Sequence, residues 1–153
     1  MSEHQAAPYV IRRLAPDEVD RVGDVLDLAR LHQGNGYYLV AWQEGDPLGH
    51  AHLALTDPPE LQDVLVRPSY RRRGVATSLT LAVEQEAGSL GFDRIRLQVS
   101  ADDDGTQTLY RKCGYFDAGL SPQRVKGTIR IRTGPIDVDD TLLVWEKHLK
   151  ATT

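Results

Sequence analysis

A single cysteine, Cys113, excludes an internal disulfide and any cysteine-based zinc cluster. Such thiol economy suits a reducing compartment, and the expected location is the cytoplasm. No apolar run approaches the roughly 18 residues needed to cross a bilayer, and residues 1–8 hold neither a basic nor an apolar leader stretch. A soluble, unexported protein without a membrane partner is therefore expected. Aromatic residues are sparse at 7%, and the 13 glycines and 8 prolines follow no period, which removes collagen-like and repeat architectures. There is no low-complexity tract or linker. What the chain does have is 41% hydrophobic residues in 153 positions, enough for one core. Residues 1–153 are expected to form a single domain, with residues 1–8 as a flexible N-terminus.

Charge is unevenly distributed. Residues 1–60 hold ten acids against four bases and residues 101–153 hold eight of each, whereas residues 61–100 hold six bases against four acids. Arg67, Arg71, Arg72 and Arg73 crowd into seven positions, so an anion is expected to dock there. The net charge of -4 argues against nucleic acid as a partner, because such proteins present wide basic faces.

Hydrophobic periodicity switches repeatedly between strand and helix, the pattern of an α/β fold. Residues 9–14 read as a strand. Ala15-Pro16-Asp17-Glu18 then opens a predicted helix whose apolar face is Val19, Val22, Val25, Leu26 and Ala29. Strands are predicted at 37–43 and 48–55, joined by Glu44-Gly45-Asp46-Pro47, and again at 61–66. A helix from Gly74 to Leu90 follows, then a strand in which Ile95, Leu97 and Val99 alternate with Arg94, Arg96 and Gln98. Residues 102–104 offer caps for a third helix that Gly114 ends. Leu142 to Trp145 is the last clear strand. Between them residues 117–141 are ambiguous, with 128–132 reading as a strand and 137–140 as a loop.

The chemistry concentrates where the strand at 61–66 runs through Arg67-Pro68-Ser69-Tyr70-Arg71-Arg72-Arg73-Gly74-Val75-Ala76 into a helix. That junction offers unpaired backbone N–H groups, the positive end of a helix dipole and neighbouring arginines, a setting suited to phosphate. Gly74 and Ala76 keep the approach clear of bulky side chains. Neither the Gly-Lys-Ser/Thr of an NTPase loop nor a G-x-G-x-x-G after a strand is present. An Arg-rich solvated turn remains the plain alternative.

These residues resemble the GNAT superfamily of acyl-CoA-dependent N-acetyltransferases. Arg71-Arg72-Arg73-Gly74-Val75-Ala76 matches its pyrophosphate signature, and Leu109-Tyr110-Arg111-Lys112-Cys113-Gly114-Tyr115 matches its second hallmark, in the expected order. The similarity is tight from Glu60 to Phe116 and looser elsewhere, covering nearly the whole chain. It implies a mixed, twisted sheet of about six to seven strands, flanked by helices on both sides and splayed between the fourth and fifth strands, with acetyl-CoA in the splay and no metal. It further implies that Leu65 and Val66 pair with the pantetheine arm and that Arg71, Arg72, Arg73, Gly74, Val75, Ala76 and Thr77 surround the diphosphate. The expected reaction is acetyl transfer to a primary amine of a small molecule or peptide.

Within that resemblance Tyr110 is the candidate acid for the departing thiolate and Glu60 the candidate base. Asp63 is the nearest rival base, expected on the opposite strand face from Glu60. Asp103 stands where relatives carry an asparagine, and contacts pantetheine or caps its helix. His50 and His52 share a strand face without an evident third ligand, and His52 is a further base candidate. Cys113 reads as a packing residue, and Tyr37 and Tyr38 as pocket lining or core. A homodimer through residues 117–141 and the last strand is compatible with the sequence. A non-catalytic acyl-CoA-binding module on the same fold is the alternative function.

Overall fold

The computed structural model describes residues 9–131 and 134–150. The expected flexible terminus at residues 1–8, and Arg132 of the expected strand, lie outside the described residues. The chain forms β1 (Val10–Arg13), α1 (Val19–Gly23), β2 (Gly36–Gln43), β3 (Asp46–Ala54), β4 (Glu60–Val66), α2 (Val75–Ser89), β5 (Arg94–Ser100), α3 (Asp104–Lys112), β6 (Phe116–Asp117), β7 (Gln123–Ile131) and β8 (Gly134–His148). The strands make one mixed sheet in the order β1-β2-β3-β4-β5-β8-β6, with β7 paired to β8. Among the described residues only β4 and β5 run parallel.

Strand alternation sorts the core into two layers. Leu39, Ala41, Leu53, Leu61, Ile95 and Leu97 face one way and bury Val75, Leu79, Val83 and Ala87 of α2. Tyr38, Val40 and Trp42 face the other way and bury Val22, Leu26 and Leu28. Helices therefore cover both faces, and the sheet cannot slip by one residue without exposing both layers. Glu44 and Gly45, both at positive φ, turn β2 into β3 in the two-residue geometry that matches strand twist. After α2, the Phe92 amide donates to the Ala87 carbonyl at 3.1 Å around Gly91 at φ 97°, which closes the helix and returns the chain to β5. Glu84 of α2 is buried, yet it accepts from Tyr115 Oη at 3.0 Å and from Lys147 Nζ at 2.8 Å, which ties α2 to β8.

Two expectations are corrected. The first helix stops at Gly23, Val25 is 46% exposed, and Leu28 takes the buried place. Side chains from the sheet hold the backbone that would have continued it: His50 Nε2 lies 2.7 Å from the Asp27 carbonyl, the Ala29 amide donates to Asp63 at 3.1 Å, and the Arg30 amide donates to Tyr38 Oη at 2.8 Å. Tertiary hydrogen bonds outcompete the helical ladder here. Residues 137–140, expected as a loop, are extended in β8, which pairs with β7 from Gln123↔Leu142 to Ile131↔Gly134. Their acids sit in a ribbon where Asp137 accepts from Thr128 at 2.8 Å and Asp139 pairs with Arg124, and these cross-strand pairs offset the low strand propensity of aspartate.

Burial raises Tyr110 to about 12 and also pushes Tyr38 and Tyr115 up, with the carboxylates of Asp63 and Glu84 adding to the last two. Because the folded values exceed the unfolded value near ~10, stability is complete below about pH 10 and is lost as pH rises through the folded values. The urea midpoint should accordingly stay level to about pH 9.5 and fall steeply from about pH 10 to 12, with tyrosinate absorbance appearing at unfolding. A midpoint held constant at about pH 11.5 would contradict this.

Candidate functional site

Only Glu60↔Arg96 and Leu61↔Leu97 join β4 to β5, with the Arg96 amide also donating to the Pro59 carbonyl at 2.9 Å. Beyond Leu61 the two strands diverge, so the rest of β4 shows an unpaired backbone edge to the gap. A cavity of about 610 Å³ occupies it. Its walls are Val64, Leu65 and Val66 of β4, the turn and first residues of α2, and Thr106, Leu109 and Tyr110 of α3.

The turn is shaped for an anion. Arg72 (φ 64°) and Gly74 (φ 79°) are both left-handed, a conformation that costs a non-glycine residue about 1–2 kcal/mol. Gly74 is the N-cap of α2 without any side-chain cap, and the first helical bond from this end is Ser78 N–H to the Gly74 carbonyl at 3.0 Å. The amides of Val75, Ala76 and Thr77 therefore have no helical acceptor and, with the dipole, present positive potential to the cavity. Arg71 Nε donates to the Val66 carbonyl at 3.1 Å, which ties the turn to the strand end while its guanidinium lines the cavity. Arg71, Arg72, Gly74, Val75, Ala76, Thr77, Leu65 and Val66 thus meet in one place. Arg73 lies outside it, above the Tyr70 ring at 5.7 Å, and Asp103 also lies outside. Asp103 caps α3 by accepting from the Thr106 amide at 3.0 Å and hydroxyl at 2.6 Å, and those bonds hold its carboxyl below the usual range.

A second cavity of about 260 Å³ lies at the β4–β5 junction, lined by Glu60, Asp63, Arg30, Gln98, Thr106 and Tyr110 among others. Val64, Thr106 and Tyr110 line both spaces. Tyr110 is 7% exposed, packs edge-on to Tyr115 at 5.7 Å, and keeps its proton far above neutrality because burial raises it to about 12. Glu60 Oε1 accepts from Gln62 Nε2 at 3.0 Å, and Gln62 Oε1 lies 3.1 Å from His52 Nδ1.

The expected placement of Asp63 opposite Glu60 is corrected. His50 pairs with Leu65 and His52 with Gln62, so Asp63 and Val64 together oppose Ala51 in a bulge, with Asp63 at φ 52°. The extra residue breaks alternation: Leu61, Val64 and Val66 face α2, whereas Glu60, Gln62, Asp63 and Leu65 share the other side. Asp63 there accepts from Tyr38 Oη at 2.6 Å and from the Ala29 amide, while burial pushes its carboxyl up. His50 is buried between the carbonyls of Asp63 and Asp27, and among the described residues no group of three or more His, Cys, Asp or Glu is placed to hold a metal. Tyr38 bonds Asp63 and the Arg30 amide, two residues that line the second cavity, but Tyr37 turns to the α2 side and donates to Glu86 at 2.6 Å. Cys113 is half-buried, and burial raises its thiol. Arg30 and Gln62 escape a sequence reading, although Gln62 falls one strand repeat from Glu60.

A family model described as Acetyltransferase (GNAT) family matches residues 3–115. No curated protein matches the chain. Among solved structures, the ribosomal-protein-S18-alanine N-acetyltransferase of Escherichia coli superposes with a TM-score of 0.73 at 14% identity, over 95% of this chain and 97% of that one. A Bacillus subtilis acetyltransferase in complex with CoA gives 0.72 at 21% identity, over 94% and 100%. The spermidine/spermine N-acetyltransferase of Vibrio cholerae gives 0.67 at 13%, over 92% of each. The described helices include none long and apolar enough to cross a membrane.

A Cβ at Gly74 would meet nothing within 4 Å, so a larger residue there is resisted by its φ and not by space. Gly74→Glu should abolish calorimetric binding of inorganic pyrophosphate while lowering Tm by no more than about 8 °C, since strain of ~1–2 kcal/mol is all it adds. Retained pyrophosphate affinity would remove the turn from the site.

Proposed function

The chain belongs to the GNAT family of acetyltransferases, and we propose that it moves an acetyl group from acetyl-CoA to a primary amine of a small molecule or peptide by direct attack in a ternary complex. The observation that carries this reading is that Tyr110 lines both the cavity bounded by the anion-binding turn and the cavity holding Glu60. One space would take the donor, the other the acceptor, and Tyr110 stands where they meet.

On this reading the diphosphate sits on the amides of residues 72–77 beside Arg71 and Arg72, and pantetheine pairs with the free edge of β4 at Leu65 and Val66. Each charge-assisted hydrogen bond is worth roughly 1.5–3 kcal/mol, so four or five hold the diphosphate firmly. Asp103 is spent on capping α3 and acts by fixing the helix that carries Tyr110. Arg73 contributes charge from outside the cavity.

An alkylammonium of pKa ~10 is neutral about one part in a thousand at neutral pH, a deficit of roughly 4 kcal/mol. Glu60, directly or through a water, accepts the ammonium proton. The nitrogen lone pair forms the N–C bond, the C–S bond breaks, the thiolate takes its proton from Tyr110, and the second proton that the nitrogen must shed to become an amide returns to the Tyr110 oxygen. The high proton affinity of buried Tyr110 keeps that proton available through the neutral range. The E. coli and V. cholerae neighbours are named for protein and polyamine acceptors respectively, so the fold leaves both classes open.

Saturating acetyl-CoA at about a hundred times its Kd should stabilise by roughly 2.7 kcal/mol and raise Tm by about 5–10 °C. No shift at millimolar cofactor would overturn the donor assignment. Tyr110→Phe and Glu60→Ala should each lower kcat at least about tenfold with the KM for acetyl-CoA nearly unchanged. Unaltered kcat would remove the residue concerned, and binding without thiol release for any amine would leave a non-catalytic acyl-CoA module.

A further inference from the structure

We propose that Gln62 and His52 are positioning residues that hold one oxygen of Glu60 and leave the other facing the acceptor cavity. This rests on reading Glu60 as the base. The three side chains lie on one face of adjacent antiparallel strands, where His52 pairs with Gln62 and Ala54 with Glu60. Gln62 Nε2 donates to Glu60 Oε1 at 3.0 Å, and Gln62 Oε1 lies 3.1 Å from His52 Nδ1.

The direction of this chain is set by its chemistry. An ionised carboxylate only accepts, so the amide NH2 of Gln62 must face Glu60 and its carbonyl oxygen must face His52. His52 Nδ1 must then carry the hydrogen, which assigns the Nδ1–H tautomer. The ring is 2% exposed and packs edge-on against Tyr38 at 4.8 Å, so its orientation is fixed by the core. Burial lowers its pKa to about 4, with Gln62, Arg30 and His50 as smaller influences, which keeps it neutral in the working range. Tyr38 is in turn held by Asp63 and by the Arg30 amide.

Other charged or titratable groups look toward Glu60: Arg30 from the segment after α1, Asp63 on β4, Arg96 on β5 and Tyr110 on α3. Arg96 Nε is engaged with Glu146 at 2.9 Å. Among the described residues Gln62 alone hydrogen-bonds the Glu60 side chain, so removing that bond frees a flexible carboxylate that must be reordered at each turnover.

Gln62→Glu keeps size but turns a donor into an acceptor facing Glu60. Its kcat should fall at least about tenfold, with the KM for acetyl-CoA within about twofold of the parent. His52→Asn keeps a donor where Nδ1 stood and should retain kcat within about threefold, whereas His52→Val should lose about tenfold. In a Glu60→Ala background, Gln62→Glu should change the residual kcat by less than about twofold, a coupling that mere structural damage does not produce. Nitrogen-15 NMR of the unmutated protein should show His52 as the neutral Nδ1–H tautomer. Parental kcat in Gln62→Glu, equal losses with and without Glu60, or an Nε2–H or protonated His52 at neutral pH would each overturn the positioning role. Parental kcat in Glu60→Ala would instead sink the base assignment, and the positioning role with it.

Discussion

Two parallel register pairs, Glu60–Arg96 and Leu61–Leu97, are all that join β4 to β5, and the rest of the molecule is arranged around the wedge that opens beyond them. A sheet held so briefly would separate into halves if nothing else bridged it. The bridge is α2, which packs Leu79, Val83 and Ala87 across strands from both halves and is locked to β8 through buried Glu84, Lys147 and Tyr115. The gap is therefore a cleft within one packed body. Unpaired β4 backbone, which elsewhere would invite aggregation, here faces a cavity of ligand size.

Everything chemical lies along that wedge. At one end the chain leaves β4, passes through left-handed Arg72 and Gly74, and enters α2 with its first amides uncapped. At the other end the bulge at Asp63 and Val64 turns an extra carboxylate toward Glu60. One irregularity sets uncapped amides beside arginines and the other builds an acidic pocket, and Tyr110 from α3 lines the cavities at both. Strain and broken pairing cost free energy at each place, and the two packed layers of the sheet supply the stability that tolerates it.

Beneath the acidic pocket the polar side chains form a linked set. Tyr38 serves Asp63 and the Arg30 amide, His50 spans the carbonyls of Asp27 and Asp63, and His52 orders Gln62. Their bonds to the backbone of Asp27, Ala29 and Arg30 replace the helix that residues 24–30 would otherwise extend. The same bonds that end α1 thus build the floor of the pocket.

The sequence by itself determined the order of strands and helices from β1 to α3, the arginine- and glycine-bearing turn before α2, and the pair of motifs that carry Arg71 to Ala76 and Leu109 to Tyr115. Those features are local: apolar period, glycine and arginine placement, and capping chemistry act within a few residues. Only the tertiary structure decided that α1 ends at Gly23, that residues 134–141 extend β8, and that Asp63 joins Glu60 on one face. Each depends on partners 8 to 34 residues away, such as Tyr38 for Arg30, Thr128 for Asp137 and Ala29 for Asp63. Strict alternation predicts the wrong face for Asp63, because a bulge arises from how two strands fit together, which no period within β4 reports.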